Sequence, residues 1–292
     1  MKIIVIGAGG KLGGALVKEW GGRHELETLT RAEVDLQDAD ALERVLSERE
    51  FEVVVNASAV ASPDVCEDHP DLAHGVNTVA PRVMARVCRE KCARLVHFST
   101  DYVLDGSEEG LKDEAAATFA NGVYGGTKLE GEEAVLEEDG RSLVCRVSWV
   151  FGTQPVGFCE SILQRAKAGE ELEAIADKWS MPTYAHDIAH WVEALLSQYD
   201  HLDGVFHLTH TGEPASWWSY GMKVLEGAHS LGLLESCAKI TPTKMQELQI
   251  FKVPRPIHTA MTPRRLQKET EIEVRDWSEA VRERLVLMLS QS

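Results

Sequence analysis

Positive charge is scarce in this chain. Thirty Lys and Arg residues stand against 47 Asp and Glu, a formal net charge of -17 over 292 residues. Nothing offsets phosphate repulsion over most of such a surface, which argues against a nucleic-acid binder. A small anionic ligand stays open, because it needs only local backbone donors and one or two cations. Long apolar runs are missing too: none approaches the roughly 18 residues that cross a bilayer, so no membrane span is expected. "MKIIVIGAGG" passes from a short apolar stretch straight into glycines with no cleavage pattern, so a secretory leader is not expected either. The six cysteines are scattered, and no two form a Cys-x-x-Cys pair. Cys88 and Cys92 are four apart, but two thiols without a His pair make a poor zinc site. Reduced thiols, a cytoplasmic location and no metal are the expectation. A composition of 44% hydrophobic and 26% charged residues excludes disorder.

What the chain does have is alternation. Residues 2–6, 53–57, 95–98 and 143–147 are short, near-continuous β-rich runs, the mark of strands covered on both faces. Between them, 11–20, 39–49, 71–92 and 126–138 carry helical spacing. The pattern predicts an α/β fold built on a doubly wound parallel sheet. Residues 1–148 form the predicted dinucleotide-binding unit, rejoined by about 183–210, and "GVFHLT" at 204–209 reads as a strand returning to the main sheet. From 149 to 292 the pattern loosens, with prolines at 155, 182, 214, 242, 254, 256 and 263 and tryptophans at 179, 191, 217, 218 and 277. This stretch reads as a smaller, discontinuous α/β lobe that mainly binds substrate.

The first predicted strand runs into "GAGGKLGG". Gly7, Gly10 and Gly13 have G-x-x-G-x-x-G spacing between a strand and a helix, with Lys11 and Leu12 at the helix start. Glycines allow the tight turn, let the backbone approach a pyrophosphate and let the helix pack close to the strand. The helix N-terminus then supplies free N–H groups and a partial positive charge. The second strand, 25–29, ends in Thr30-Arg31. An acidic residue there would hold the ribose 2′-hydroxyl of NAD, whereas an arginine accommodates a 2′-phosphate. Arg31 therefore favours NADPH, with NADH as the alternative. Asp35 and Leu36 fall where an adenine ring is met. Ala57, Ser58 and Ala59 end the next strand with small residues, letting backbone and ribose lie close together.

"LVHFSTDYVLDG" at 95–106 is an apolar strand that stops in four hydrogen-bonding side chains. It emerges at the carboxyl edge of the sheet, where ligands bind in this architecture. Twenty-four residues after Thr100, "VYGGTKLEGEEAV" places Tyr124 and Lys128 four apart on one helix face. A free tyrosine, with a pKa of about 10, is a reluctant acid at neutral pH. A neighbouring ammonium stabilises the phenolate and tunes it towards the working pH.

In these residues the chain resembles the dTDP-4-dehydrorhamnose reductase family of extended short-chain dehydrogenase/reductases. "FSTDYVLDG", "VYGGTK", "RVSWVFG" at 146–152, "DKWSMPT" at 177–183, "SWWSYG" at 216–221 and "RPIHTAM" at 255–261 resemble that family's segments, in order, over almost the whole chain. The resemblance implies a catalytic set of Thr100, Tyr124 and Lys128 and hydride transfer from NAD(P)H to the 4-keto carbon of a nucleotide-linked 6-deoxysugar. Tyr124 would give the proton, Lys128 would depress its pKa and bond the nicotinamide ribose, and Thr100 would hold the carbonyl oxygen. Asp101, Tyr102 and Trp149 match sugar contacts.

Departures cluster on the substrate side. The family's Gln and Gly are Lys178 and Ser180 here, and its Asn is Gly157. Lys178 and Arg255 are read as binding the diphosphate of the nucleotide sugar. Ala15 stands where a magnesium-binding carboxylate would match, so no metal is expected. The histidines, His186, His190, His207 and His210 among them, are read as packing residues. A sugar-nucleotide epimerase on the same fold, and a non-catalytic subunit like the regulatory β subunit of methionine adenosyltransferase, stay open as alternatives. Tyr102 takes the place of the acid that a dehydratase carries. The expected assembly is a monomer or homodimer.

Overall fold

The computed structural model describes residues 1–152, 156–248 and 251–290. Its first half runs β1 (Lys2–Ile6), α1 (Lys11–Trp20), β2 (Glu25–Leu29), α2 (Ala39–Ser47), β3 (Val53–Asn56), α3 (Pro63–Asp68), α4 (Pro70–His74), α5 (Ala80–Glu90), β4 (Arg94–Thr100), α6 (Gly122–Glu138) and β5 (Leu143–Val147). Then come β6 (Val150–Phe151), α7 (Phe158–Lys167), β7 (Leu172–Ile175), β8 (Trp179–Ser180), β9 (Thr183–Tyr184), α8 (Ala185–Ser197) and β10 (Gly204–His207). The chain closes with β11 (Ala215–Ser216), α9 (Trp217–Ser230), β12 (Ile240–Thr243), α10 (Arg264–Glu269) and α11 (Trp277–Leu289).

Six strands make one sheet in the order β10-β5-β4-β3-β1-β2, and every pairing in it is parallel. The predicted doubly wound sheet is therefore what the chain forms. Its strands are apolar on both faces because both faces are covered. Ile3, Val5, Val55 and Val96 join a core with Leu16 and Trp20 of α1 and Ile188 to Leu196 of α8. Their neighbours Ile4, Ile6, Val54 and Leu95 point the other way, against α2 and α5. Each such side chain contributes about 1.5–3 kcal/mol by leaving water. At one edge, β2 presents Glu25 and Glu27; at the other, β10 brings the 204–207 segment back to the sheet beside β5. A third core, built from Phe151, Leu163, Tyr184, Tyr220, Leu225, Val281 and Leu285, fills the second half.

The expected boundaries shift in several places. The helical stretch 71–92 is broken by a π turn at Gly75–Val79. There the buried Asn77 bonds both backbone groups of Val60, at 2.9 and 3.2 Å, and reaches Thr127 Oγ1 at 3.2 Å. Wide turns of this kind recur where a helix must place a polar side chain. α6 begins at Gly122, ahead of the 126–138 stretch of helical spacing and one residue before the segment that sets Tyr124 and Lys128 on one helix face, so Tyr124 lies in its first turn. β4 runs through Thr100, two residues beyond the apolar stretch, and β10 stops at His207 rather than 209. Pro155, counted among the prolines of the second lobe, lies outside the described residues.

Candidate active site

Because all six strands are parallel, β1, β3, β4 and β5 end at one edge. Sequence order reverses between β1 and β3, which opens a crevice there. Gly7 takes a φ of +86°, and a Cβ on it would stand 2.7 Å from the Ala57 carbonyl carbon. A Cβ on Gly13 would overlap the Gly7 carbonyl. The turn, α1 and the end of β3 are thus in contact through bare backbone. The Gly10 N–H bonds the Gly7 carbonyl at 2.9 Å, and α1 opens with neither a side-chain cap nor an acidic residue in its first turn. Its first N–H groups keep their capacity for an anion. These observations fit a dinucleotide pyrophosphate. Lys11 is half-buried at the start of α1 and Leu12 packs on the sheet core.

Around this turn the other expected cofactor residues gather unevenly. Ala57 N–H bonds the Ile6 carbonyl at 2.9 Å. Ser58 donates from its N–H at 3.1 Å and its hydroxyl at 2.6 Å to Asn56 Oδ1. Ala59 is half-buried beside them. Beyond β2, Arg31 is exposed. The sequence reading missed Glu33, whose carboxylate accepts the Thr30 N–H at 2.8 Å and the Thr30 hydroxyl at 2.9 Å. The Thr-x-x-Glu spacing was the available signal. Asp35 accepts the Gln37 N–H at 3.0 Å, and Leu36 packs half-buried on the second core.

At the end of β4, the buried Thr100 donates to Asp101 Oδ1 at 3.2 Å and accepts the Tyr102 N–H at 3.3 Å. Asp101 is only 2% exposed. Its Oδ2 accepts Ser180 Oγ at 2.8 Å and Thr259 Oγ1 at 2.5 Å. The expected sugar contact is therefore an internal clasp, with both oxygens engaged by three hydroxyls. Lys178 is likewise buried: its Nζ donates to the Pro256 carbonyl at 2.7 Å and stands 5.1 Å from the Tyr102 ring centre. Burial brings the Lys178 ammonium down to about 8, against the pull of Asp101. Arg255 pairs through Nη2 with Asp64 at 2.8 Å and lies over Phe251. Its buried Nη1 has no partner among the described residues. Trp149 holds a φ of +40°, which a bulky residue adopts only under constraint. Its ring stacks on Trp217 with centroids 4.3 Å apart.

Tyr124 meets Tyr102 edge to face, with centroids 5.4 Å apart. α6 can come this close because residue 125 is glycine: a Cβ there would stand 2.6 Å from the Tyr102 carbonyl oxygen. Burial pushes the Tyr124 phenol up to about 12, with the Thr100 hydroxyl acting against the rise and the Asp101 carboxylate adding to it. Lys128, one helical turn on, bonds groups of β4. Its Nζ donates to the Phe98 carbonyl at 2.7 Å and lies 3.1 Å from His97 Nε2. Burial lowers Lys128 to about 8, and Glu132 one turn on pulls it back up. Four-residue spacing fixes the helix face but not the aim of a long side chain, and this one meets the Phe98 carbonyl and the His97 ring on β4. His97, the polar interruption of "LVHF", was not singled out from the sequence.

Thr100 and Tyr124 thus supply a hydroxyl and a phenol at the same sheet edge as the glycine turn, with Lys128 beneath them. Among the described residues no group of three or more His, Cys, Asp or Glu side chains is placed to hold a metal ion, and no helix is long and apolar enough to cross a membrane.

A family model described as RmlD substrate binding domain matches residues 1–289. The dTDP-4-dehydrorhamnose reductase of Burkholderia thailandensis is 31% identical over 296 residues, covering 96% of this chain and 97% of its own. A crystal structure of a dTDP-4-dehydrorhamnose reductase from Clostridium acetobutylicum matches with a TM-score of 0.90 at 27% identity, over 99% of this chain and 100% of that one. One from Bacillus anthracis, in complex with NADP, shares the fold at a TM-score of 0.87 and 24% identity, over 97% and 98% of the two chains. Glycine cradle, Thr100–Tyr124–Lys128 set and whole-length likeness agree: the chain belongs to the dTDP-4-dehydrorhamnose reductase family.

Proposed function

We propose that this chain is the NADPH-dependent reductase of a nucleotide-activated 4-keto-6-deoxysugar, with NADH as a second cofactor. The observation that carries this reading is the placement of Tyr124 and Thr100 at the carboxyl edge shared with the Gly7–Gly13 turn. When bound, the reduced nicotinamide supplies a hydride to the carbonyl carbon at C4. Tyr124 gives its phenolic proton to the carbonyl oxygen, completing the alcohol. The Thr100 hydroxyl turns its single proton from Asp101 to the same oxygen, orienting the ketone and stabilising charge as it develops. Lys128 holds the nicotinamide ribose. The α1 N-terminus takes the cofactor pyrophosphate, Ala57 to Ala59 leave room for its ribose, and Asp35 and Leu36 border its adenine.

On the substrate side, Tyr102 and Trp149 face the sugar. Arg255, with its unpartnered Nη1, and Lys178 take the diphosphate. Residues 1–148 with 183–210 serve as the dinucleotide unit, and the remainder as the sugar-nucleotide lobe. The net charge of -17 and six unpaired cysteines support a cytoplasmic protein without a nucleic-acid partner, and the assembly we propose is a monomer or homodimer.

The test mixes the protein with NADPH and a thymidine-diphosphate 4-keto-6-deoxysugar and follows loss of dihydronicotinamide absorbance. Stoichiometric oxidation with an alcohol product supports the reading. An epimerised sugar with the cofactor still bound and unconsumed makes the chain an epimerase. No consumption, together with capture of a synthetase partner, makes it a binding subunit.

A further inference from the structure

β2 ends at Leu29, and Glu33 folds back onto the residue that follows it. The chain bends tightly there: the Thr30 carbonyl accepts the N–H groups of Glu33 and Val34 at 3.0 and 3.2 Å. Glu33 Oε2 in turn accepts the Thr30 N–H at 2.8 Å and the Thr30 hydroxyl at 2.9 Å. A carboxylate is thereby fixed at the end of the second strand, the place from which an acid reads the adenosine ribose in this architecture. Glu33 also follows Gly13 by about twenty residues, the separation at which that acid stands from the glycine turn. The Thr30 hydroxyl has one proton and gives it to Glu33, so it has none left for a phosphate. Glu33 Oε1 accepts no hydrogen bond among the described residues and stays open. Two residues back, the exposed Arg31 has neither an ion pair nor a hydrogen bond among the described residues. Arg49, the other cation that acts on Glu33, is bound to Glu27 at 2.5 Å and to the Val45 carbonyl at 2.7 Å.

We propose that Glu33 is a specificity-determining residue for the cofactor: its open oxygen accepts the 2′-hydroxyl of NADH, and its charge opposes the 2′-phosphate of NADPH that Arg31 attracts. This rests on the cofactor part of the reductase reading and deepens it by naming what keeps NADH usable beside NADPH. The two side chains act with opposite sign on one group of the ligand. A 2′-hydroxyl is a donor, so it gains a charge-assisted bond from Glu33 and nothing from Arg31. A 2′-phosphate carries nearly two negative charges at neutral pH, so it gains from Arg31 and is repelled by Glu33. An unclamped glutamate on an exposed bend would swing clear of an incoming phosphate. This one gives up both bonds to Thr30 if it moves. Glu33 and Arg31 are both exposed, so salt screens the effect.

The test titrates the whole protein with NADPH and, separately, with NADH, following dihydronicotinamide fluorescence, for wild type, Glu33→Gln and Arg31→Ala. Glutamine keeps an oxygen for Thr30, so the bend is retained while the charge goes. In Glu33→Gln the ratio of the NADH Kd to the NADPH Kd is expected to rise about fivefold at low salt, chiefly because NADPH binds more tightly, and the gain is expected to shrink as salt is added. Arg31→Ala is expected to move the ratio the other way by weakening NADPH alone. An unchanged ratio in Glu33→Gln overturns the proposal. Equal weakening of both cofactors overturns it too, because that is the mark of a residue that only supports the bend. These titrations need no keto sugar and no turnover, so the proposal can fail while the reductase reading stands. Wild-type protein that binds neither cofactor ends the reductase reading and the proposal together.

Discussion

The Asp101 carboxylate accepts the hydroxyl of Thr259, 158 residues further along the chain, at 2.5 Å. With Ser180 on the same oxygen, this ties the end of β4 to β8 and to the segment before α10, which is how the catalytic edge is fixed against the second lobe. Asp101→Ala leaves buried hydroxyls without an acceptor and is expected to lower unfolding free energy by about 2–5 kcal/mol. Asp101→Asn, which keeps an acceptor, is expected to cost less. Urea unfolding of the two variants measures the difference; equal stability of Asp101→Ala and wild type refutes the clasp.

Tyr124→Phe removes one oxygen and nothing else. Loss of the proton donor is expected to cut ketone reduction by about 10²–10⁴-fold while NADPH binding stays near wild type. Steady-state rates with cofactor titration by fluorescence check both halves. Retention of the wild-type rate assigns the proton to another group.

Gly13→Ala tests the cradle. The added methyl meets the Gly7 carbonyl, so the turn must open. A stability loss of about 1–3 kcal/mol is expected. A Kd for NADPH weakened by about tenfold or more, the equivalent of about 1.4 kcal/mol, is expected beside it. Unchanged cofactor affinity in a folded variant would move the pyrophosphate away from this turn.

Stability should fall in acid through two buried histidines. Burial, reinforced by Arg146 and by Arg275 respectively, brings His207 and His210 from 6.5 to about 3. Each stays neutral in the fold while its unfolded counterpart protonates. The unfolded state therefore binds more protons between 6.5 and about 3, and stability is lost as pH falls through that window. One histidine accounts for about 1.4 kcal/mol per pH unit. Glu114, whose carboxyl burial pushes up, works in the opposite sense. His207→Gln should flatten the slope of unfolding free energy against pH by about one proton, whatever it does to the absolute value. An unaltered slope would mean that His207 titrates normally.

Much of this was legible beforehand, and the misses share a cause. Strands such as "KIIVI" and "LVCRV" announce burial on both faces, and glycine spacing announces the turn, because both are local. The start of α6 was legible from the Tyr124–Lys128 pairing but not from periodicity: Gly122, Gly125 and Gly126 are poor helix formers, and it is the tertiary approach to Tyr102 that makes glycine fit at 125. Nor could spacing show that Lys128 aims at His97 and Phe98, or that Asp101 is consumed by Ser180 and Thr259. Those partners are brought in by the fold from 30 to 158 residues away.

The rim of the sheet carries a last lesson. β2 is an outer strand of five residues whose alternate side chains include Glu25 and Glu27, the latter tied to Arg49. A second molecule docking there by strand addition would bring like charges together in a stack. Replacing both glutamates with valine would leave the reaction centre untouched and yet remove this guard, giving an enzyme that works when dilute and aggregates when concentrated.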